Sequence, residues 1–131
     1  MSPLSSYFDV IILGAGAAGL MCAITAAKLG RKVLILERSN KVGKKILMSG
    51  GGKCNFTNQF VEADNFISQN KHFSKAALKR YTQWDFIEMV ERHNINYEQR
   101  KHNQLFCLDS AKDILNILLE ECSQGDVIIK T

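Results

Sequence analysis

Proline is almost missing from this chain, with one in 131 residues, and tryptophan occurs once. Together with nine unperiodic glycines, that scarcity excludes collagen-like and proline-rich repeats. The four cysteines, at 22, 54, 107 and 122, form no CxxC pair, so no zinc site or thioredoxin-like redox pair is signalled. Residues 1–8 hold no Lys or Arg, so the positive n-region of a secretory signal is lacking. With nothing secretory in view, a disulfide framework is not expected either. What is there is 46% apolar and 23% charged, the balance of a globular protein. The length suits one domain. The expectation is a reduced, cytoplasmic α/β domain.

The net charge of +4 is unevenly spread. Residues 28–53 carry eight cations (Lys28, Arg31, Lys32, Arg38, Lys41, Lys44, Lys45, Lys53) against one anion, Glu37. Residues 54–131 hold nine cations and eleven anions, a net of −2. On charge alone a solvated, helix-flanking run is the simpler account, and an anionic ligand at one place is the alternative. Without aromatic interleaving, and at a pI of 8.9, nucleic acid is not an expected partner.

Val10–Ala27 is an eighteen-residue run without charge, the length at which a membrane span must be weighed. Its character changes along its length, from β-branched VIIL through GAGAAG to LMCAITAAKLG, and no membrane span is expected. Phe8–Leu13 instead suits a strand buried on both faces, and residues 16 or 17 to 29 a helix ended by Gly30. Lys32–Glu37 is a second buried-type strand. The three make a βαβ unit.

Residues 38–58 look loop-like, because Gly43 and Gly50-Gly51-Gly52 interrupt any long element. Helices are expected over Ser74–Tyr81, from Thr82 with Asp85 as capping-box partner and Phe86, Met89 and Val90 on one face, and from Ser110 with Asp113. Trp84 and Phe86 read as core. Asp126–Lys130 begins a third strand, and the chain then stops at Thr131 without a closing element. The expected architecture is a Rossmann-like βαβ unit with an incomplete parallel sheet, followed by helical segments. His72, His93 and His102 share no metal-ligand spacing, so no metal is expected.

The chemistry concentrates in two motifs. Gly14-Ala15-Gly16-Ala17-Ala18-Gly19 is a GxGxxG between strand and helix. The first glycine permits the tight turn, the second lets a pyrophosphate approach the main chain, and the third lets helix and strand pack closely. The helix N-terminus offers unpaired N–H groups to the phosphates. Glu37, 18 residues past Gly19, stands where a carboxylate accepts hydrogen bonds from an adenosine ribose and repels a 2′-phosphate. FAD or NAD is therefore favoured over NADP at this site.

The second motif runs from Gly43 to Asn58, GKKILMSGGGKCNFTN. A P-loop fails here, because Cys54 stands where Ser or Thr is needed and Leu47 where a glycine is needed. Three glycines after Ser49 permit close approach of the main chain to a flat or anionic ligand, although a flexible surface loop accounts for them equally. Cys54 suits a small packing residue better than a redox group.

The combination of FDVIILGAGAAGLMCA with LERSNKVGKKILMSGGGKCNFTN closely resembles the BaiN-like family of bacterial NAD(P)/FAD-dependent oxidoreductases. In that family the loop commonly reads GGGRCN-x-TN, so Lys53 stands in an arginine position here. Residues 104–111, QLFCLDSA, resemble a family segment often reading GRVFP-x-S-x-x-A, with Asn103, Gln104 and Cys107 replacing Gly, Arg and Pro. The resemblance implies FAD bound at its pyrophosphate by Gly14–Gly19 and at its ribose by Glu37. Ser49, Gly50, Gly51, Gly52, Cys54 and Asn55 would run along it toward the flavin, and Arg38 and Lys45 complete the cofactor-binding set. NAD(P)H is the implied electron donor and an unidentified small organic molecule the substrate. No catalytic residue can be named. Family members are much longer, so the chain is expected to be an N-terminal piece without turnover of its own. The alternatives are a dinucleotide-binding module without redox activity, or an inactive remnant.

Overall fold

The structure, a computed structural model, describes residues 7–131. These form two compact units, one of residues up to 48 together with 115–131, the other of residues 49–114.

In the first unit, strands β1 (Val10–Leu13) and β2 (Val33–Leu36) are joined by helix α1 (Ala17–Lys28). β1 and β2 pair in parallel, with Val10 opposite Val33 and Leu13 opposite Leu36. This is the expected βαβ unit. The helix forms where Ala and Leu, strong helix formers, follow the glycine turn. It ends at Leu29, where Gly30 takes φ +79 and donates its N–H to the Ala27 carbonyl at 2.9 Å. A third parallel strand, β6 (Val127–Lys130), lies on the far side of β2, giving the order β1-β2-β6.

Only the central strand is buried on both faces. Val33, Leu34 and Ile35 of β2 are buried, whereas Ile11 and Leu13 of β1 are 59% and 83% exposed. The expectation of two-faced burial for residues 8–13 is therefore corrected. β1 is an edge strand, and its Ile12 side is the one turned to α1, with Cγ2 3.4 Å from where a Gly19 Cβ would stand. The uncharged run of residues 10–27 divides between β1, the turn and α1. Among the described residues no helix is long and apolar enough to cross a membrane.

Residues 38–58 are more ordered than the expected loop. Lys44–Met48 forms a short helix, α2, with Ile46 buried. Gly43 precedes it at φ +70, and a Cβ there would stand 2.5 Å from Leu115 Cδ1. A glycine that only looked like a helix breaker is thus also a packing requirement.

The second unit contains an antiparallel sheet that the sequence reading missed. β3 (Asn55–Asn58), β4 (Tyr97–Gln99) and β5 (Gln104–Cys107) pair in the order β3-β5-β4. Helices α3 (Lys75–Arg80) and α4 (Gln83–Arg92) lie between β3 and β4 in sequence. The Thr82 capping box forms as expected: Thr82 Oγ1 accepts the Asp85 N–H at 3.3 Å, and Asp85 Oδ2 accepts the Thr82 N–H at 2.7 Å. Ile87, Met89 and Val90 are buried, and the Phe86 ring lies 6.0 Å from that of Phe56 on β3.

Trp84 is not core. It is 56% exposed, because it falls on the outer side of α4's first turn, three residues before buried Ile87 but off the Phe86–Met89–Val90 stripe. The last helix, α5 (Lys112–Ser123), begins at the end of this unit and continues into the first. Its start differs from a capping box: Ser110 Oγ accepts the Lys112 N–H at 3.1 Å, while Asp113 donates its N–H to the Ser110 carbonyl.

Candidate functional site

The glycine turn of the first unit assigns each glycine a distinct geometry. Gly14 sits at φ +105, which side-chain-bearing residues rarely adopt, and its N–H reaches the Leu36 carbonyl at 2.8 Å. Gly16 caps α1 in an extended conformation, φ −92 and ψ −168, and a Cβ there would meet nothing within 4 Å. Its smallness is not needed by the protein itself. A Cβ at Gly19 would collide with the Gly14 carbonyl oxygen, so the third glycine is demanded by packing alone. Ala17 and Ala18 form the exposed first turn of α1, whose N–H groups have no helical partner. An open approach at Gly16 beside those N–H groups fits an anionic diphosphate.

Glu37 follows β2 directly. Its Oε1 accepts the Ala15 N–H at 2.8 Å and its Oε2 the Ser39 N–H at 2.8 Å. The Ser39 and Ala15 N–H groups, with a smaller contribution from the Lys44 charge, hold this carboxyl below its ordinary range. The group is ionised at neutral pH and braces the glycine turn from the adjoining strand. A carboxylate has about four lone-pair positions. The Ser39 side chain also bonds to it, and the remaining acceptor capacity suits a ribose hydroxyl. Ala15 is tied on its other side as well, its carbonyl accepting the Gly43 N–H at 2.8 Å. Ser39 and Gly43 were not among the sequence candidates. The signal for Ser39 was its position two residues past the acid, where an N–H can fold back onto the carboxylate. Arg38 and Lys45 are both exposed.

In the second unit, Ser49–Gly52 forms a tight turn containing left-handed main chain at Gly50 (φ 55) and Gly51 (φ 63). A Cβ on Gly50 would stand 2.7 Å from the Asn55 nitrogen and 2.8 Å from Phe106 Cε2, whereas one on Gly51 would meet nothing. The Cys54 N–H closes the turn onto the Ser49 carbonyl at 3.0 Å. Cys54 itself is buried at φ +55, and burial pushes its thiol up. A buried, protonated thiol is a poor nucleophile. Its side chain is packed inside the turn. Lys53, in the family's arginine position, donates from Nζ to the Asp109 carbonyl at 2.7 Å and the Leu108 carbonyl at 3.2 Å. Its charge ties the loop to the chain after β5. Asn55 is exposed at the start of β3.

A parallel βαβ unit with a glycine turn, an open helix N-terminus and an ionised acid at the end of the second strand defines the Rossmann-type dinucleotide-binding class. Residues 8–131 match the family described as the HI0933-like protein Rossmann domain. The chain belongs to that family, as the resemblance drawn from the GGGKCNFTN loop anticipated. It is 52% identical to the ribosomal RNA dihydrouridine synthase of Escherichia coli (strain K12) over 94% of this chain and 31% of that protein. It is 31% identical to the 3-dehydro-bile acid delta(4,6)-reductase of Clostridium scindens, over 92% of this chain and 30% of that protein. The chain thus spans about a third of the length of these relatives. Among solved structures, the 3-ketosteroid-delta4-(5alpha)-dehydrogenase of Rhodococcus jostii RHA1 shares the fold, with a TM-score of 0.61 at 14% identity, covering 98% of this chain and 39% of that one.

Proposed function

We propose that this chain is the FAD-holding part of a flavin-dependent reductase that saturates a uracil ring in ribosomal RNA. The observation that carries the substrate is the 52% identity to the Escherichia coli dihydrouridine synthase, against 31% to the bile-acid reductase. Dihydrouridine is uridine with a hydride and a proton added across one C=C bond. When bound, FAD supplies the hydride chemistry, with NAD(P)H as the source of reducing equivalents.

The chain's own part is binding and orientation. The turn at Gly14 and the bare Gly16 leave room for a diphosphate, and the α1 N-terminus is attractive to its charge. The remaining acceptor capacity of Glu37 suits an unphosphorylated ribose, and Arg38 and Lys45 are exposed cations of the same unit. By the family resemblance, the main chain of Ser49–Gly52, with Cys54 and Asn55, serves the flavin end. An RNA substrate departs from the small molecule expected from sequence. A cytoplasmic location follows from it and suits four free cysteines.

The test is anaerobic incubation of the full-length protein, FAD and NAD(P)H with unmodified ribosomal RNA, followed by nucleoside mass spectrometry. The expected result is a uridine heavier by two hydrogens at a discrete position. Unmodified RNA, together with reduction of a conjugated steroid ketone, would support the second reading, a bile-acid-type ene reductase.

A further inference from the structure

Between Asp64 and Asp85 the chain carries no acidic residue, and its four cations and four aromatic residues are interspersed over about twenty positions, so the aromatic interleaving that the basic run of residues 28–53 lacks is present here. The average charge of residues 54–131, a net −2, conceals this stretch. It lies within the second unit, and its cations and aromatic residues are exposed. Phe73 is 80% exposed, Trp84 is 56% exposed, and Lys71, Lys75, Lys79 and Arg80 are all exposed.

Local hydrogen bonds fix the display. Asn70 Oδ1 accepts the His72 N–H at 3.0 Å, and the Asn70 carbonyl accepts the Phe73 N–H at 3.1 Å, so an Asx turn presents Phe73. Lys75 and Lys79 lie four apart on α3, on one side of that helix. Asp85, the acid beside Trp84, is engaged in the Thr82 capping box. The Gln83 side chain donates to the Gln59 carbonyl at 3.0 Å, which anchors the start of α4.

We infer that residues 66–84 form a docking surface for single-stranded RNA, with Phe73 and Trp84 as stacking platforms and the four cations on the phosphates. The inference rests on the proposed RNA substrate and adds where the strand is held. Charge complementarity selects this occupant. Protein interfaces deplete lysine at their centre, where an unmatched ammonium is costly, whereas a phosphate chain meets a cation at every step. Aromatic faces in water beside cations are what unstacked bases use.

The test uses the full-length protein and a fluorescein-labelled, uridine-rich single-stranded RNA of about 12 nucleotides, read by anisotropy across a salt series. The variants are the combined Lys71→Gln, Lys75→Gln, Lys79→Gln and Arg80→Gln, and separately Phe73→Ala and Trp84→Ala. Uridine reduction in ribosomal RNA is measured alongside. The combined variant should bind at least tenfold more weakly and lower the log–log salt slope by up to about 3. Each aromatic variant should weaken binding by roughly 5- to 100-fold at unchanged slope. FAD content should match the wild type in all of them. If the wild type reduces and binds RNA but the variants bind it equally well, the surface is wrongly assigned while the substrate stands. The same holds if the variants leave RNA binding intact and instead change the oligomeric state, which would make this a protein contact. A wild type that neither binds nor reduces RNA overturns both.

Discussion

The Glu37 carboxylate accepts the Ala15 main-chain N–H at 2.8 Å across twenty-two residues of sequence, joining the end of β2 to the middle of the glycine turn. The acid that a ribose would use is therefore also a brace for the turn that a diphosphate would use. Glu37→Ala should remove both functions, weakening FAD affinity by about ten- to a hundredfold in a fluorescence titration. Glu37→Gln should fall between, since an amide oxygen still accepts one N–H but its nitrogen cannot accept the other.

The same bond sets a pH dependence. The folded carboxyl titrates below its ordinary value of 4.5. Its contribution is therefore complete above that ordinary value and is lost as pH falls through the lower folded one. FAD affinity should show no Glu37 titration from pH 5 to 8, and should fall only in more acid solution. A loss centred near neutrality would assign the effect to another group.

Gly19→Ala should be costly without any ligand present. Its Cβ collides with the Gly14 carbonyl oxygen, which is main chain and cannot swing aside. The expected destabilisation is about 1–3 kcal/mol, seen as a lower urea midpoint.

Gly50 and Gly51 should separate in the same way. Both are left-handed, so either alanine substitution costs about 1–2 kcal/mol. Gly50→Ala additionally drives a Cβ to 2.7 Å from the Asn55 nitrogen, so it should be the more destabilising of the two. Equal midpoints would mean that the turn relaxes away from β3.

Thiol chemistry should discriminate sharply. Burial, followed by the neighbouring Cys54 and Asp113, pushes the Cys107 thiol up to about 12. Burial and Glu121 push Cys122 up to about 11. Cys54 is raised by burial as well, while Cys22 is exposed on α1. Iodoacetamide at pH 8 should therefore label Cys22 rapidly and the other three only after denaturation, as peptide mass mapping would record.

The elements legible in the sequence were those with a strong period or a strong terminus. VIIL and VLIL stand out as strands beside an Ala-rich helix, and Thr82 with Asp85 marks a helix start by chemistry that survives in the fold. The sheet of the second unit was not legible, because NFTN and YEQ are short and polar and carry no alternation. Pairing with QLFC, not propensity, makes them strands. Trp84 misled because a large aromatic is ordinarily core, and one residue of helical phase is enough to turn it outward. At the site, the roles of Gly14 and Gly19 could be read from the motif, while the bracing of Glu37 by Ser39 and Ala15 is visible only once the chain is folded.

The central claim is that the first unit cradles the diphosphate of FAD at Gly16, and bound flavin in the Gly16→Val variant tests it most directly. The full-length protein and this variant would be purified in parallel, with flavin quantified by absorbance after heat release and folding followed by circular dichroism. Beyond its chain neighbours, nothing lies within 4 Å of a Cβ at this position, so the variant should fold with unchanged helix content. The wild type should carry one FAD per chain and the variant essentially none. Stoichiometric FAD in a folded Gly16→Val variant would contradict the assignment and move the cofactor away from the glycine turn.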